Sequence, residues 1–101
     1  MLHVSFSTAT PSNTSTIAAP TNGQRIRIAR IDFSVTLAGD VTFSEGTAAT
    51  GTRLVYLSLG DNGGAFVDFS GIDGYYLPAE TALLRTATAG TLTGVVWYTI
   101  N

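Results

Sequence analysis

The chain has 101 residues, 45% of them hydrophobic and only 12% charged, with five arginines and no lysine against seven carboxylates for a net charge of −2. That is enough chain for one domain and one core, and it is too apolar for disorder. A groove for nucleic acid is excluded, because only Arg25, Arg27 and Arg30 cluster where a basic stripe is required.

With no cysteine, the chain has neither disulfides nor cysteine-held metal nor thiol redox chemistry. A mean hydropathy of +0.27 is high for a small free monomer, so some apolar surface is expected to meet another subunit. Met1–Phe6 has neither a basic region nor an unbroken apolar run, and does not read as a signal peptide. No stretch approaches the roughly 18 apolar residues of a membrane span, so no membrane partner is expected.

Residues 1–13 read as an N-terminal arm: Leu2, Val4 and Phe6 alternate with His3, Ser5 and Ser7 in a strand, and Pro11-Ser12-Asn13 makes a turn. A second short strand is predicted over Thr16–Ala19, ending at Pro20 and at Asn22-Gly23, a pair that tolerates the positive φ of a tight hairpin. In the next run Ile26 and Ile28 share one face, whereas Ile31, Phe33, Val35 and Leu37 have the opposite parity. The phase slips near Ala29-Arg30, which predicts a bulge or bend of the kind that passes a strand from one sheet to another. Gly39-Asp40 then leads into the strand Val41-Thr42-Phe43, followed by a loop over Gly46–Thr50.

The run from Leu54 and Tyr56 to Leu59 is apolar on both faces in its second half and reads as a central strand. Asp61-Asn62-Gly63-Gly64 is the strongest hairpin signal in the chain. It is followed by Phe66–Phe69, a glycine-rich corner at Gly71–Gly74, and Tyr75-Tyr76-Leu77-Pro78. Leu83-Leu84-Arg85 and Val95–Ile100 are the last strands, with Ala89-Gly90 between them; in Val95-Val96-Trp97-Tyr98 one of the two large aromatics must face the core and the other outward. No window repeats apolar residues at helical spacing. About eight short strands separated by turns predict one all-β domain over 1–101, an antiparallel sandwich of jelly-roll type with little or no helix.

A catalytic constellation has little to be built from. His3 is the sole histidine and lies on the polar side of its strand. Asp68, Asp73 and Glu80 offer carboxylates, and the turns Asp61-Asn62-Gly63 and Asp73-Gly74 are oxygen-rich, but no spacing matches a calcium loop. No enzyme activity, metal or cofactor is therefore expected. Candidate interaction residues are Leu2, Val4 and Phe6 for strand pairing with a neighbour, Arg25 and Arg27 for ion pairs across an interface, and Tyr75, Tyr76 and Trp97 for subunit or sugar contacts.

The order of features from Ile17-Ala18-Ala19 through Gln24-Arg25-Ile26-Arg27-Ile28, Val41-Thr42-Phe43-Ser44, Gly74-Tyr75-Tyr76, Ala79-Glu80-Thr81-Ala82-Leu83 and Leu92-Thr93-Gly94-Val95-Val96-Trp97-Tyr98 resembles small bacteriophage virion proteins. These are compact β-sandwiches of phage heads or tails, including the decoration or cement proteins of capsids. The resemblance implies a homotrimer that binds the lattice of major capsid protein on the outer surface of the virion, after assembly in the bacterial cytoplasm, with no catalytic residues to transfer. The alternatives are a tail or fibre module that binds host glycans, and a minor tail or head-to-tail structural protein. Removing residues 1–10 is expected to abolish trimerisation or capsid binding.

Overall fold

The computed structural model describes residues 1–9, 13–48 and 51–101. These form the strands β1 (Leu2–Ala9), β2 (Thr14–Ile17), β3 (Ile26–Val35), β4 (Gly39–Glu45), β5 (Arg53–Leu59), β6 (Gly64–Asp68), β7 (Tyr75–Tyr76), β8 (Leu83–Ala87) and β9 (Thr91–Ile100), with one turn of 3₁₀ helix at Ser70–Ile72. Sheet A has the order β1-β9-β3-β6, with the short β7 also on β3, and sheet B has the order β2-β8-β4-β5. All pairs are antiparallel.

The pairs β1/β9, β2/β8, β3/β6 and β4/β5 nest inside one another along the chain and fall in alternate sheets. A single antiparallel ribbon rolled on itself gives this order, which is the jelly-roll arrangement of a β-sandwich. The all-β sandwich expected from alternation is therefore the fold observed. Rolling explains why short connections cross between sheets. Residues 36–38, 60–63 and 88–90 each join a strand of one sheet to a strand of the other. Three or four residues at about 3.3 Å each span the roughly 10 Å between packed sheets.

The turn chemistry appears where the sequence places it, but its role differs. Asn22 and Gly23 both have positive φ, and the Gln24 N–H donates to the Thr21 carbonyl at 3.1 Å. Asn62 also has positive φ, in a turn closed by Gly63 N–H on the Gly60 carbonyl at 2.9 Å. Both turns join strands of opposite sheets instead of hairpin partners, because a turn signal encodes a local reversal and not the sheet in which the next strand finds its pair. The β2 strand also begins earlier than expected, at Thr14, and β9 begins at Thr91. The turn at Pro11-Ser12 and the end of the loop at Ala49-Thr50 lie outside the described residues.

The slip of phase in β3 is a bulge: its register against β9 shifts between Ile28 and Arg30. The strand nevertheless stays in sheet A throughout. The bulge turns Ile31, Phe33 and Val35 onto the same buried side as Ile26 and Ile28, so its effect is to keep one long strand facing one core. Leu37, by contrast, lies beyond the strand in a crossing and is 53% exposed.

The core is built around Phe43, whose ring meets Phe6 edge-on at 5.9 Å and Phe33 at 5.4 Å. Ile26, Ile28, Ile31, Val41, Leu77, Leu83, Leu92 and Val96 close around it. Gly94 stands opposite Phe6 and Phe33 in the register. A Cβ there would come within 2.8 Å of the Phe6 ring and overlap the Asp32 carbonyl oxygen, so the missing side chain is what lets the phenylalanine pack.

β5 is an edge strand, not a central one. Only Val55 is fully covered; Tyr56 faces outward, and Leu57 is 36% exposed at the rim.

Candidate interaction surfaces

Alternation places Arg30, Asp32 and Ser34 of β3 on the outer side of sheet A, since Ile31, Phe33 and Val35 point inward. Register then sets their neighbours. Arg30 stands between Trp97 and Asp68, Asp32 between Val95 and Phe66, and Ser34 between Thr93 and Gly64. The Arg30 guanidinium stacks over Phe66 at 4.4 Å and reaches Trp97 at 6.0 Å, while its Nε donates to Asp32 Oδ1 at 2.7 Å. Phe66 is 61% exposed. Beside this stack lies an open depression of about 420 Å³ lined by Arg30, Asp32, Ser34, Phe66, Thr93 and Val95.

At the other end of the same face, Arg27 pairs with Asp73 at 2.9 Å and donates from Nε to Thr99 at 3.3 Å. Arg25 stacks over Tyr76 at 5.0 Å and donates to the Leu77 carbonyl at 3.1 Å. The interface candidates thus divide. Arg25, Arg27, Tyr76 and Trp97 share one outer face. Tyr75 does not join them: its ring packs on Phe69 at 5.6 Å against the core, and its hydroxyl donates to Glu45 Oε2 at 2.8 Å. Burial and the Glu45 bond both push the Tyr75 pKa up. On β1, Phe6 is buried and Val4 packs against the core, so this edge offers a neighbour its backbone and the exposed Leu2. Trp97 is the outward member of the terminal aromatic pair, and Tyr98 packs on the core.

The outer face of sheet B is hydroxylic. A smaller depression of about 230 Å³ is lined by Asp40, Thr42, Ser44, Arg53, Tyr56 and Thr86, among others. Asp40 accepts Ser58 Oγ at 2.5 Å and Tyr56 OH at 3.0 Å. Those two bonds hold its carboxyl below the usual range. Arg53 stacks over the Tyr56 ring at 4.6 Å.

Sequence reasoning passed over two features. One is the Arg30–Asp32–Phe66 group, whose members become neighbours only through strand register. The other is Arg85, which shares parity with Leu83 and Ala87 and so points into the sandwich, where it is 8% exposed. Its guanidinium lies over Phe6 at 4.7 Å and donates to Thr8 Oγ1 at 2.6 Å, Thr16 Oγ1 at 3.0 Å and the Ser15 carbonyl at 3.3 Å. All of these acceptors are neutral, and its Nε has no partner among the described residues. Burial pushes its pKa down. The spacing Leu83-x-Arg85-x-Ala87 was the signal that could have located it. Arg85 ties the edge strands β1 and β2 to β8 across the seam of the sandwich.

Among the described residues, no cluster of three or more His, Asp or Glu side chains could hold a metal ion, and no helix is long and apolar enough to cross a membrane. Comparison with protein-family models, with curated proteins and with solved structures finds no match to this chain.

Proposed function

We propose that this chain is a structural subunit of a bacteriophage virion, a decoration or cement protein that forms a homotrimer on the outside of the head and stabilises the shell of major capsid protein. The observation that carries the reading is a pair of charge-poor sheet edges on opposite flanks. β5 runs for seven residues with one charge, at its first position, and exposes Tyr56 and Leu57. β1 contains no Asp, Glu, Lys or Arg, and exposes Leu2. Soluble proteins usually protect such edges with lysine, proline, inward charges or a covering element. Among the described residues β1 and β5 show few of these devices, and such an edge is suited to accept a strand from a neighbour through backbone hydrogen bonds.

Because the two edges are different surfaces, joining them is a head-to-tail contact, which closes into a ring when the rotation per subunit allows it. The resemblance to small virion proteins sets the expected closure at three. Outward Arg25, Arg27 and Tyr76 are of the residue types that dominate interface energetics, and serve as the face toward the shell. Binding only the assembled lattice stabilises that state by mass action, and three linked copies hold more tightly than one.

Deleting residues 1–10 would also remove Phe6 from the core, so single charges at exposed edge positions test the reading more cleanly. The native chain should co-sediment with empty phage heads that lack it, and Leu2→Lys and Leu57→Lys should each weaken that binding by about tenfold or more. A native chain left in the supernatant, or variants that pellet as the native chain does, would contradict the proposal.

A further inference from the structure

The depression beside Phe66 combines three properties that together specify a ligand class. First, its charges are closed on themselves. Arg30 and Asp32 pair at 2.7 Å, with about 41% and 36% of their side chains exposed, and Asp68 stands opposite Arg30 on β6, so the site has no surplus positive charge to attract an anionic ligand.

Second, the pair retains unused hydrogen-bonding capacity facing water. Arg30 Nε is spent on Asp32 Oδ1, whereas the two terminal guanidinium nitrogens and Asp32 Oδ2 have no hydrogen bond within the described residues. A hydroxyl both donates and accepts. A ligand hydroxyl can therefore donate to Asp32 and accept from a neighbouring donor at once, which neither a hydrocarbon nor a simple anion can do. Ser34 and Thr93 add further hydroxyls to the wall.

Third, one aromatic ring is offered as a platform. One face of Phe66 is covered by Arg30. Toward the depression, the next outward residue on the same strand is Gly64, whose lack of a side chain leaves that flank of the ring open. The electron-rich face of a phenyl ring attracts the weakly positive C–H groups of an apolar surface laid on it.

We propose that this depression on the outer face of sheet A binds a neutral carbohydrate, with one pyranose ring laid on the open face of Phe66 and its hydroxyls held by Asp32 and the wall hydroxyls of Ser34 and Thr93, while Arg30 backs the phenyl ring and fixes Asp32. A neutral sugar ring has the required combination: vicinal hydroxyls at its edge, C–H groups on its face and no charge. The site lies on the end of sheet A away from Arg25 and Tyr76, and it stands independently of the assembly proposed above.

Trp97 is the sole tryptophan of the chain and is within 6.0 Å of the Arg30 guanidinium, so its fluorescence reports on the site. The probes are neutral oligosaccharides built on glucose, galactose, mannose and N-acetylglucosamine, titrated against the full chain alongside sialylated and uronic-acid glycans. At least one neutral probe should saturate the signal with a Kd of about 1 mM or tighter, the range one ring on an open site allows. Phe66→Ala and Asp32→Asn should each weaken that binding by about tenfold, Phe66→Trp should retain it, and Thr86→Ala on the opposite sheet should leave it unchanged. Phe66 is 61% exposed, so its replacement leaves the core intact. Failure of every neutral probe, stronger binding of the acidic glycans, or a protein partner captured at Phe66 in place of any sugar would each overturn the proposal.

Discussion

Arg30 and Arg85 both stack on a phenylalanine, at 4.4 Å and 4.7 Å, and the two guanidiniums have opposite fates. Arg30 stands on the outer face of sheet A, bonded to a carboxylate and with donors to spare. Arg85 lies inside the seam between β1, β2 and β8, with no carboxylate beside it and its donors directed at hydroxyls and a carbonyl of the chain. The same residue type, in the same aromatic company, thus serves recognition where water supplies the unused partners and cohesion where most of them come from the fold.

The contrast can be broken at either arginine. Arg85→Ala should have the larger effect on stability, about 2–3 kcal/mol in denaturant unfolding, because it leaves a void and strips the partner from buried Thr16 and half-buried Thr8. Relief of the desolvated charge offsets only part of that loss. A variant as stable as the native chain would mean that the seam does not depend on this side chain. Arg30→Met should change stability by no more than about 0.5 kcal/mol, as for other exposed substitutions, while weakening the response of Trp97 to neutral sugar, because Phe66 and Asp32 lose the group that holds them. Loss of stability like that of Arg85→Ala would place Arg30 in the scaffold instead.

The smallest effect is expected on the outer face of sheet B, where half-buried Asp40 is held by Ser58 and Tyr56. Its folded pKa lies below the ordinary 3.8. Its contribution is therefore complete above that value and is lost as pH falls through the lower, folded one. Asp40→Asn should lower stability slightly at pH 7, flatten this part of the acid limb, and match the native chain once Asp40 is protonated; an acid limb unchanged by the substitution would contradict the assignment.

Much of the fold is legible in the residues because alternation and turn chemistry are local. The parity change between Ile28 and Ile31 is readable as a bulge without any structure, and Asn22-Gly23 and Asn62 carry their positive φ where small polar residues announce it. What local signals do not encode is which sheet a strand joins. The turn at 60–63 sends the chain from β5 to the opposite sheet, and β5 is an edge although its residues are apolar on both faces. The candidate sugar site was illegible for the same reason. Arg30, Asp32 and Phe66 lie on two strands, with more than thirty residues separating Phe66 from the other two, and only the pairing of Asp32 with Phe66 brings them together. Arg25 and Arg27 were legible as an outward pair because alternation alone places them.

In the proposed assembly the edges β1 and β5 join copies of this chain. Multi-angle light scattering on the purified protein measures that directly. The expected result is a mass three times the 10.5 kDa of one chain, reduced to a single chain by Leu57→Lys. A native protein that elutes with the mass of one chain across the accessible concentration range would contradict it.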